Sequence, residues 1–140
     1  MACLTLLRLG ALVDMKYAEA ATHALERVAG EAVRNPFGYG QTLCVLDRLV
    51  RGSVDVVLVG PRSDARTRSL AAAVFRAYVP NRTLAWLDVA DAASRMACSA
   101  LAEGKVAKSE PIAYLCRGRT CSAPIARPEE LARALATRPR

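Results

Sequence analysis

The chain has few of the residues on which catalysis and metal binding most often depend. His23 is the only histidine among its 140 residues, and aromatic residues make up 5% of the sequence. A zinc site needs four ligands, and acid–base catalysis needs a matched set of groups; neither can be assembled around one histidine. We therefore expect no catalytic set, no metal and no cofactor.

Long apolar runs and dense basic segments are also missing. No run approaches the roughly 20 apolar residues that cross a bilayer, and Arg8 interrupts the first segment too early for a signal peptide. The formal net charge is +7, but the arginines are scattered and usually stand near acidic residues. Because phosphate binding favours clustered basic residues, nucleic acid is not expected as a partner. We expect a cytoplasmic protein without a membrane partner.

Three helices are predicted in residues 1–52. Apolar residues recur at helical spacing over residues 2–13 and 17–33, with a three-residue polar break between them. These two helices form an αα-hairpin. Asn35-Pro36 is a typical cap and first turn for a third helix, which should reach about Val50 before Gly52 stops it.

Residues 53–140 are predicted to form a small α/β subdomain. Val54–Gly60 is an almost continuous apolar run, as expected of a strand buried on both faces. Further strands are predicted at 83–88 and 112–117, and the β-α-β-α-β-α order predicts a three-stranded parallel sheet with right-handed crossovers. The first strand is the most apolar and should be central, which gives the strand order 2-1-3. The helices of this subdomain are predicted at 65–78, 91–103 and 128–136.

The turn after the first strand is a candidate anion site. Arg62, Ser63 and Arg66 stand where a helix N-terminus would meet a phosphate. However, the turn lacks both the G-x-G-x-x-G and the Walker patterns, Pro61 removes an amide donor, and Asp64 adds negative charge. An ordinary capped turn is the preferred interpretation, and a weak anion or nucleotide site is the alternative.

The five cysteines are irregularly spaced, which is not the pattern of a disulfide framework. Cys116 and Cys121 could meet across a turn, where Arg117 and Arg119 would favour a thiolate if their side chains approached the sulfurs. A zinc site would need further ligands. We interpret Cys116 and Cys121 as structural thiols, with a redox or metal site as the alternative.

The third predicted strand opens a stretch with a more specific sequence. Ala113-Tyr-Leu-Cys116, then Cys121-Ser-Ala-Pro124 and Pro128-Glu-Glu-Leu131, resembles the C-terminus of the YyaL / spermatogenesis-associated protein 20 family of thioredoxin-domain-containing proteins. Two earlier segments, Asn35-Pro36 and Tyr78-Val-Pro-Asn81, also occur in the same order as in the family. The resemblance extends over nearly the whole chain.

The resemblance implies a place in a longer architecture. Family members look like a thioredoxin-like domain followed by an (α/α) toroid similar to sugar epimerases and glycoside hydrolases, and residues 1–52 would be the end of that toroid. The family's N-terminal redox motif and most of the toroid have no counterpart here, so its activities cannot be assigned to residues of this chain. Ala126-Arg127 also replaces a Thr-Asp pair that would cap the last helix.

The leading functional prediction is a non-catalytic C-terminal module that acts by packing against a partner. That partner would be another protein chain, the missing upstream part, or a second copy. The hypothesis predicts an exposed apolar patch on residues 1–50 and no deep polar pocket. The alternatives are a thiol redox or metal accessory unit at Cys116 and Cys121, and an anion binder at Gly60–Arg66.

Overall fold

A computed structural model describes residues 1–88, 90–106, 110–118 and 120–137. The described residues form seven helices and a four-stranded mixed sheet, which confirms the predicted α/β class. The helices are α1 (Ala2–Leu12), α2 (Lys16–Arg34), α3 (Gly40–Arg51), α4 (Ala65–Arg76), α5 (Ala92–Ala97), α6 (Ser99–Ala102) and α7 (Pro128–Ala136). The strands are β1 (Val54–Val59), β2 (Arg82–Leu87), β3 (Ile112–Arg117) and β4 (Thr120–Cys121). No helix within these ranges is long and apolar enough to cross a membrane.

Strand β1 lies inside the sheet, whose strand order is β2-β1-β3-β4. The first three strands therefore take the predicted order 2-1-3. Strands β1 and β2 are parallel, as predicted, and α4 connects them. Every residue of β1 after Val54 is buried, because helices cover both faces of the sheet. Strand β4 was not predicted.

The prediction that β3 is parallel to β1 is wrong, because the two strands are antiparallel. A parallel connection must bring the chain back along a six-residue strand, a distance of about 20 Å. Helix α4, with 12 residues, is about 18 Å long and can do this. The single helix predicted over 91–103 is instead broken at Cys98 into α5 and α6, with six and four residues. Neither is long enough to return, and the chain enters β3 at the end where it left β2.

The two faces of the sheet carry separate cores. Val56 and Leu58 face α4 and α7, where they pack with Leu70 and Leu131. Val57, Val59 and Ala85 belong to the opposite face, which is covered by α6 and the end of α1. The protein is consequently a three-layer arrangement of helices, sheet and helices.

Residues 1–52 form the predicted helical segment, which has a small core of its own. That core consists of Leu7, Ala21, Leu25 and Val45. Helices α1 and α2 approach closely because Gly10 faces Ala18, where an added Cβ at Gly10 would lie 2.5 Å from the Ala18 Cβ. The segment packs on the sheet through α1, which contacts β2 and α6.

The predicted start of the third helix is wrong. Asn35-Pro36 does not open α3, which begins at Gly40 after the turn residues 36–39. The Asn35 side chain instead accepts a hydrogen bond from the Gly38 N–H at 3.3 Å, so it stabilises the turn and leaves the helix without a side-chain cap. Asparagine is suited to either role, and sequence alone does not separate them.

Candidate functional site: the Cys116–Cys121 hairpin

Strands β3 and β4 form a tight hairpin that holds two cysteines opposite each other. Gly118 has a φ of 59°, a left-handed conformation that glycine adopts at low cost. Cys116 pairs with Cys121 across the hairpin, and their sulfurs form a disulfide bond. The two residues are therefore bonded in this structure and are not the free thiols that the sequence suggested. The remaining cysteines, which are free, are Cys3, Cys44 and Cys98.

The two halves of the disulfide differ in exposure. Cys116 is buried, with only 2% of its surface exposed, whereas Cys121 is exposed. Ser122 holds the hairpin closed next to them: its N–H donates to the Leu115 carbonyl at 2.8 Å, and its Oγ accepts from the Leu115 N–H at 3.1 Å. An incoming thiol can approach the sulfur of Cys121, while that of Cys116 is shielded.

The disulfide terminates a row of side chains that crosses the whole sheet at one register. Thr83 on β2 pairs with Asp55 on β1, Asp55 pairs with Cys116, and Cys116 pairs with Cys121. Paired residues project from the same face of a sheet, with Cβ atoms about 5 Å apart. Asp55 is thus the direct neighbour of the buried cysteine.

Asp55 and Thr83 belong to a buried polar cluster that Arg48 completes. Arg48 is only 5% exposed; its Nη1 donates to the Asn81 carbonyl at 2.9 Å and its Nη2 to Oγ1 of Thr83 at 2.6 Å. Burial lowers the pKa of Arg48, an effect that the charge of Asp55 opposes and that of Arg8 increases. Oδ1 of Asp55 is buried without a hydrogen-bond partner among the described residues.

Arg117, which would favour a thiolate only if its side chain approached the sulfurs, binds the end of α7 instead. Arg117 Nη2 donates to the carbonyls of Ala134 and Thr137 at 3.2 and 2.8 Å, so its side chain closes the C-terminal end of α7. Adjacent strand residues project to opposite faces, which directs Arg117 away from Cys116. Arg119 lies outside the described residues.

The predicted anion site is brought together, but the Arg66 side chain and the N–H groups of Arg62 and Arg66 already bind carboxylates. Asp64 caps α4 by accepting from the Arg66 N–H at 2.7 Å, and the Arg66 side chain also bonds the same carboxylate. The Arg62 N–H donates to Asp88 at 3.0 Å. The hydrogen bonds from Arg66 to Asp64, of which the side-chain bond has the largest effect, hold the pKa of Asp64 below its usual value. The backbone N–H groups of Arg62 and Ala90 likewise lower the pKa of Asp88.

The remaining parts of that turn are held in the same way. The Arg62 guanidinium lies 5.1 Å from the centre of the Trp86 ring, and Trp86 Nε1 donates to the Gly60 carbonyl at 3.1 Å. Ser63 is exposed, and its carbonyl accepts from Arg68. The turn is therefore a self-contained hydrogen-bonded cap in which carboxylates occupy the places that a phosphate would take.

An open groove of about 830 Å³ lies between α4 and α7. Five of its eleven lining residues are alanines, and its polar members are Ser69, Arg76, Tyr78 and Glu129. The Ser69 hydroxyl donates to the Ala65 carbonyl at 3.0 Å, so the described residues show no nucleophile paired with a base in this groove. Among the described residues, no group of three or more His, Cys, Asp or Glu side chains could hold a metal ion. The hairpin is taken as the candidate site because two cysteine side chains meet there in a bond that can be reduced and re-formed.

No family model matches this chain, and neither a curated protein nor a solved structure does. The interpretation of the site consequently depends on its own residues.

Cys116 and Cys121 are candidates from the sequence, whereas their disulfide bond and the nearby Asp55 were not predicted. Signals for both were present. Gly118 and Arg119 form a two-residue connection between an apolar strand and Thr120, which is a recognised hairpin pattern. Asp55 is the one charged residue in the Val54–Gly60 run, and a carboxylate is rarely buried without a reason.

Proposed function

We propose that the Cys116–Cys121 pair is a reversible disulfide and that the chain takes part in thiol–disulfide exchange. The observation that carries this proposal is the asymmetry of the pair, in which Cys121 is exposed and Cys116 is 2% exposed. An external thiol of a small molecule or a partner protein has access to only one of the two sulfurs. The direction of attack is thereby fixed.

The exchange takes place in two balanced steps. A thiolate attacks the sulfur of Cys121, the Cys116–Cys121 bond breaks, and Cys116 leaves as a thiolate that takes up a proton. A second thiolate then attacks the external sulfur of this mixed disulfide, forms an external disulfide, and releases Cys121 as a thiolate. Two thiols are oxidised and one protein disulfide is reduced. In the reverse direction, the shielded Cys116 attacks the sulfur of Cys121 in the mixed disulfide and re-forms the Cys116–Cys121 bond.

The other cysteines support a reversible pair. Cys3, Cys44 and Cys98 are free, so this chain does not have the dense disulfide network of secreted domains. Where disulfides occur in cytosolic proteins of mesophiles, they are usually transient and catalytic or redox-sensing. We expect this chain to be cytoplasmic, so the same role is proposed for its pair.

A redox titration against glutathione tests this proposal. We expect the pair to be half reduced at a potential above about −300 mV, whereas structural disulfides of secreted proteins lie below that value. Alkylation and mass measurement at each potential report the fraction reduced, and Cys44→Ser is the control for exposed-thiol chemistry. A pair that stays oxidised throughout the glutathione range would exclude reversible exchange.

The second candidate is the packing module of a YyaL-like protein. Its support is the turn between α2 and α3, where Phe37 is 100% exposed and Val33 is 71% exposed. A fully exposed phenylalanine leaves a large apolar area in water, which contact with another chain would remove. The partner would be the upstream part of such an architecture, another protein, or a second copy.

Sedimentation velocity over a range of concentrations tests self-association, and an upstream fragment from a YyaL-like protein tests the other partner. Phe37→Ser should weaken either association at least tenfold. Phe75→Ser is the matched control, because Phe75 is also exposed but belongs to α4, away from residues 1–52. Binding that is equally strong in both variants would exclude this surface.

A further inference from the structure

The buried carboxylate of Asp55 lies at a position where it can exchange a proton with Cys116. In the antiparallel pairing of β1 with β3, Asp55 is directly opposite Cys116. Directly opposed side chains lie on one face with Cβ atoms about 5 Å apart. Asp55 is 6% exposed and Cys116 is 2% exposed, so water has little access to either group.

The hydrogen bonding of Asp55 points to a partner that is not present in the oxidised hairpin. Its Oδ1 is buried and accepts no hydrogen bond from any described residue. Arg48, the nearest buried cation in this cluster, directs its Nη1 and Nη2 to Asn81 and Thr83. A buried acceptor without a partner costs free energy, about 1–3 kcal/mol in general. A thiol at Cys116 would provide the missing donor, and the disulfide cannot.

We infer that Asp55 is the proton acceptor and donor for Cys116 during thiol–disulfide exchange, a role that depends on the exchange function proposed above. In the reductive direction, the bond between Cys116 and Cys121 breaks, and protonated Asp55 gives its proton to the departing Cys116 thiolate. In the oxidative direction, ionised Asp55 takes the proton from the Cys116 thiol. The resulting thiolate attacks the Cys121 sulfur of a mixed disulfide and expels the external thiolate.

The groups that face Asp55 come from α3, β2 and β3. Among the described residues, Arg48 approaches it from α3, and Arg8 on α1 lies close enough to act on Arg48. Strand β2 presents the uncharged Thr83 and β3 presents Cys116. One buried cation therefore lies near the carboxylate, and no ion pair joins the two among the described residues.

The rate at which the Cys116–Cys121 disulfide forms in the full chain tests the role of Asp55. The three other cysteines are first replaced (Cys3→Ala, Cys44→Ser, Cys98→Ala), and the reduced protein is mixed with an aromatic disulfide that releases thionitrobenzoate. The first release marks formation of the mixed disulfide at the exposed Cys121. The second release marks attack by Cys116, and its rate is recorded as a function of pH.

We expect Asp55→Asn to slow the second release roughly 10- to 100-fold near neutral pH, at or below the range typical of positioned acid–base groups. The rate in this variant should rise in proportion to hydroxide, and Asp55→Glu should restore part of it. Thr67→Val is the matched control because Thr67 Oγ1 is another buried oxygen without a partner, on α4. The Thr67→Val variant should form the disulfide at the same rate as the cysteine-replaced protein.

Equal rates and equal pH profiles for Asp55→Asn and Thr67→Val would overturn the role of Asp55 while leaving the exchange function intact. If the cysteine-replaced background itself shows no second release, both proposals fall. A measurement on the unaltered chain covers the case in which Asp55→Asn does not fold. The carboxyl carbon resonance of Asp55 should shift between the disulfide and dithiol forms, and an unchanged resonance overturns the inference.

Discussion

Arg48 Nη2 donates a hydrogen bond to Oγ1 of Thr83 at 2.6 Å, joining the last turns of α3 to β2. Nη1 of the same residue donates to the Asn81 carbonyl just before β2. This buried side chain thus adds polar contacts to the packing of α1 on the sheet, and it supplies a positive charge near Asp55.

Replacement of Arg48 should therefore destabilise the fold. Arg48→Met keeps most of the volume but leaves Thr83 and the Asn81 carbonyl without their donor, at an expected cost of about 2–4 kcal/mol. Urea unfolding measures this change. Arg51→Met, three residues further along α3, removes an exposed ion pair to Asp47 and should have little effect. Equal losses in the two variants would show that Arg48 is not an anchor.

The disulfide should contribute measurably to stability when it is formed. Closing a loop of this size restricts the unfolded chain by about 2 kcal/mol in the chain-entropy description. We expect Cys121→Ser to lose that amount, and a reducing agent to remove the same amount from the unaltered protein but none from the variant. Cys44→Ser should unfold like the unaltered chain under both conditions. If reduction leaves the unfolding midpoint unchanged, the hairpin does not depend on its disulfide.

The close crossing of α1 and α2 should tolerate no side chain at Gly10. A Cβ there would lie 2.5 Å from the Cβ of Ala18, so Gly10→Ala must push the helices apart, at a cost of about 1–3 kcal/mol. Gly30→Ala provides the opposite case within α2, because nothing lies within 4 Å of its Cβ position. That replacement should stabilise the protein by about 0.5–1 kcal/mol. Thermal unfolding of the Gly10→Ala and Gly30→Ala variants measures both changes. A Gly10→Ala variant as stable as the unaltered protein would contradict the close contact of α1 with α2.

Acid should weaken the start of α4 through Asp64. Hydrogen bonds from Arg66 hold the pKa of Asp64 below its ordinary value of 3.8 in the folded state. The carboxylate therefore stabilises the fold above pH 3.8, and this contribution is lost as the pH falls below that value. The melting temperature of the unaltered protein should drop more between pH 5 and pH 3 than that of Asp64→Asn. Parallel curves for the two proteins would contradict the capping role.

The sequence predicted the elements of this fold better than their arrangement. The apolar run at Val54–Gly60 and the capping aspartate at Asp64 are local signals, and both β1 and α4 are found where they indicate. The direction of β3 depends on the break at Cys98, where neither glycine nor proline marks the end of a helix. The helix therefore ends without a marker in the sequence, and β3 runs antiparallel to β1.

The same distinction applies to the candidate site. Cys116 and Cys121 were selected from residue type and spacing, and these are properties of a short segment. Asp55 lies about 60 residues earlier in the sequence and meets Cys116 only through the register of β1 against β3. Because the predicted sheet had β3 in the opposite direction, it placed different residues opposite each other. The acid could not have been assigned to the cysteine without the correct pairing.

Strand β1 separates the two ends of the sheet on which candidate residues were found. Asp55 is the second residue of β1 and pairs with Cys116 of β3. The Gly60–Arg66 turn follows the last residue of β1, about 17 Å further along at the rise of an extended chain. Residues that far apart without shared partners contribute additively to free energy. In a double variant that combines Asp55→Asn with Asp64→Asn, the change in the free energy of unfolding should therefore equal the sum of the two single changes. A different value would mean that the two ends of β1 are energetically coupled.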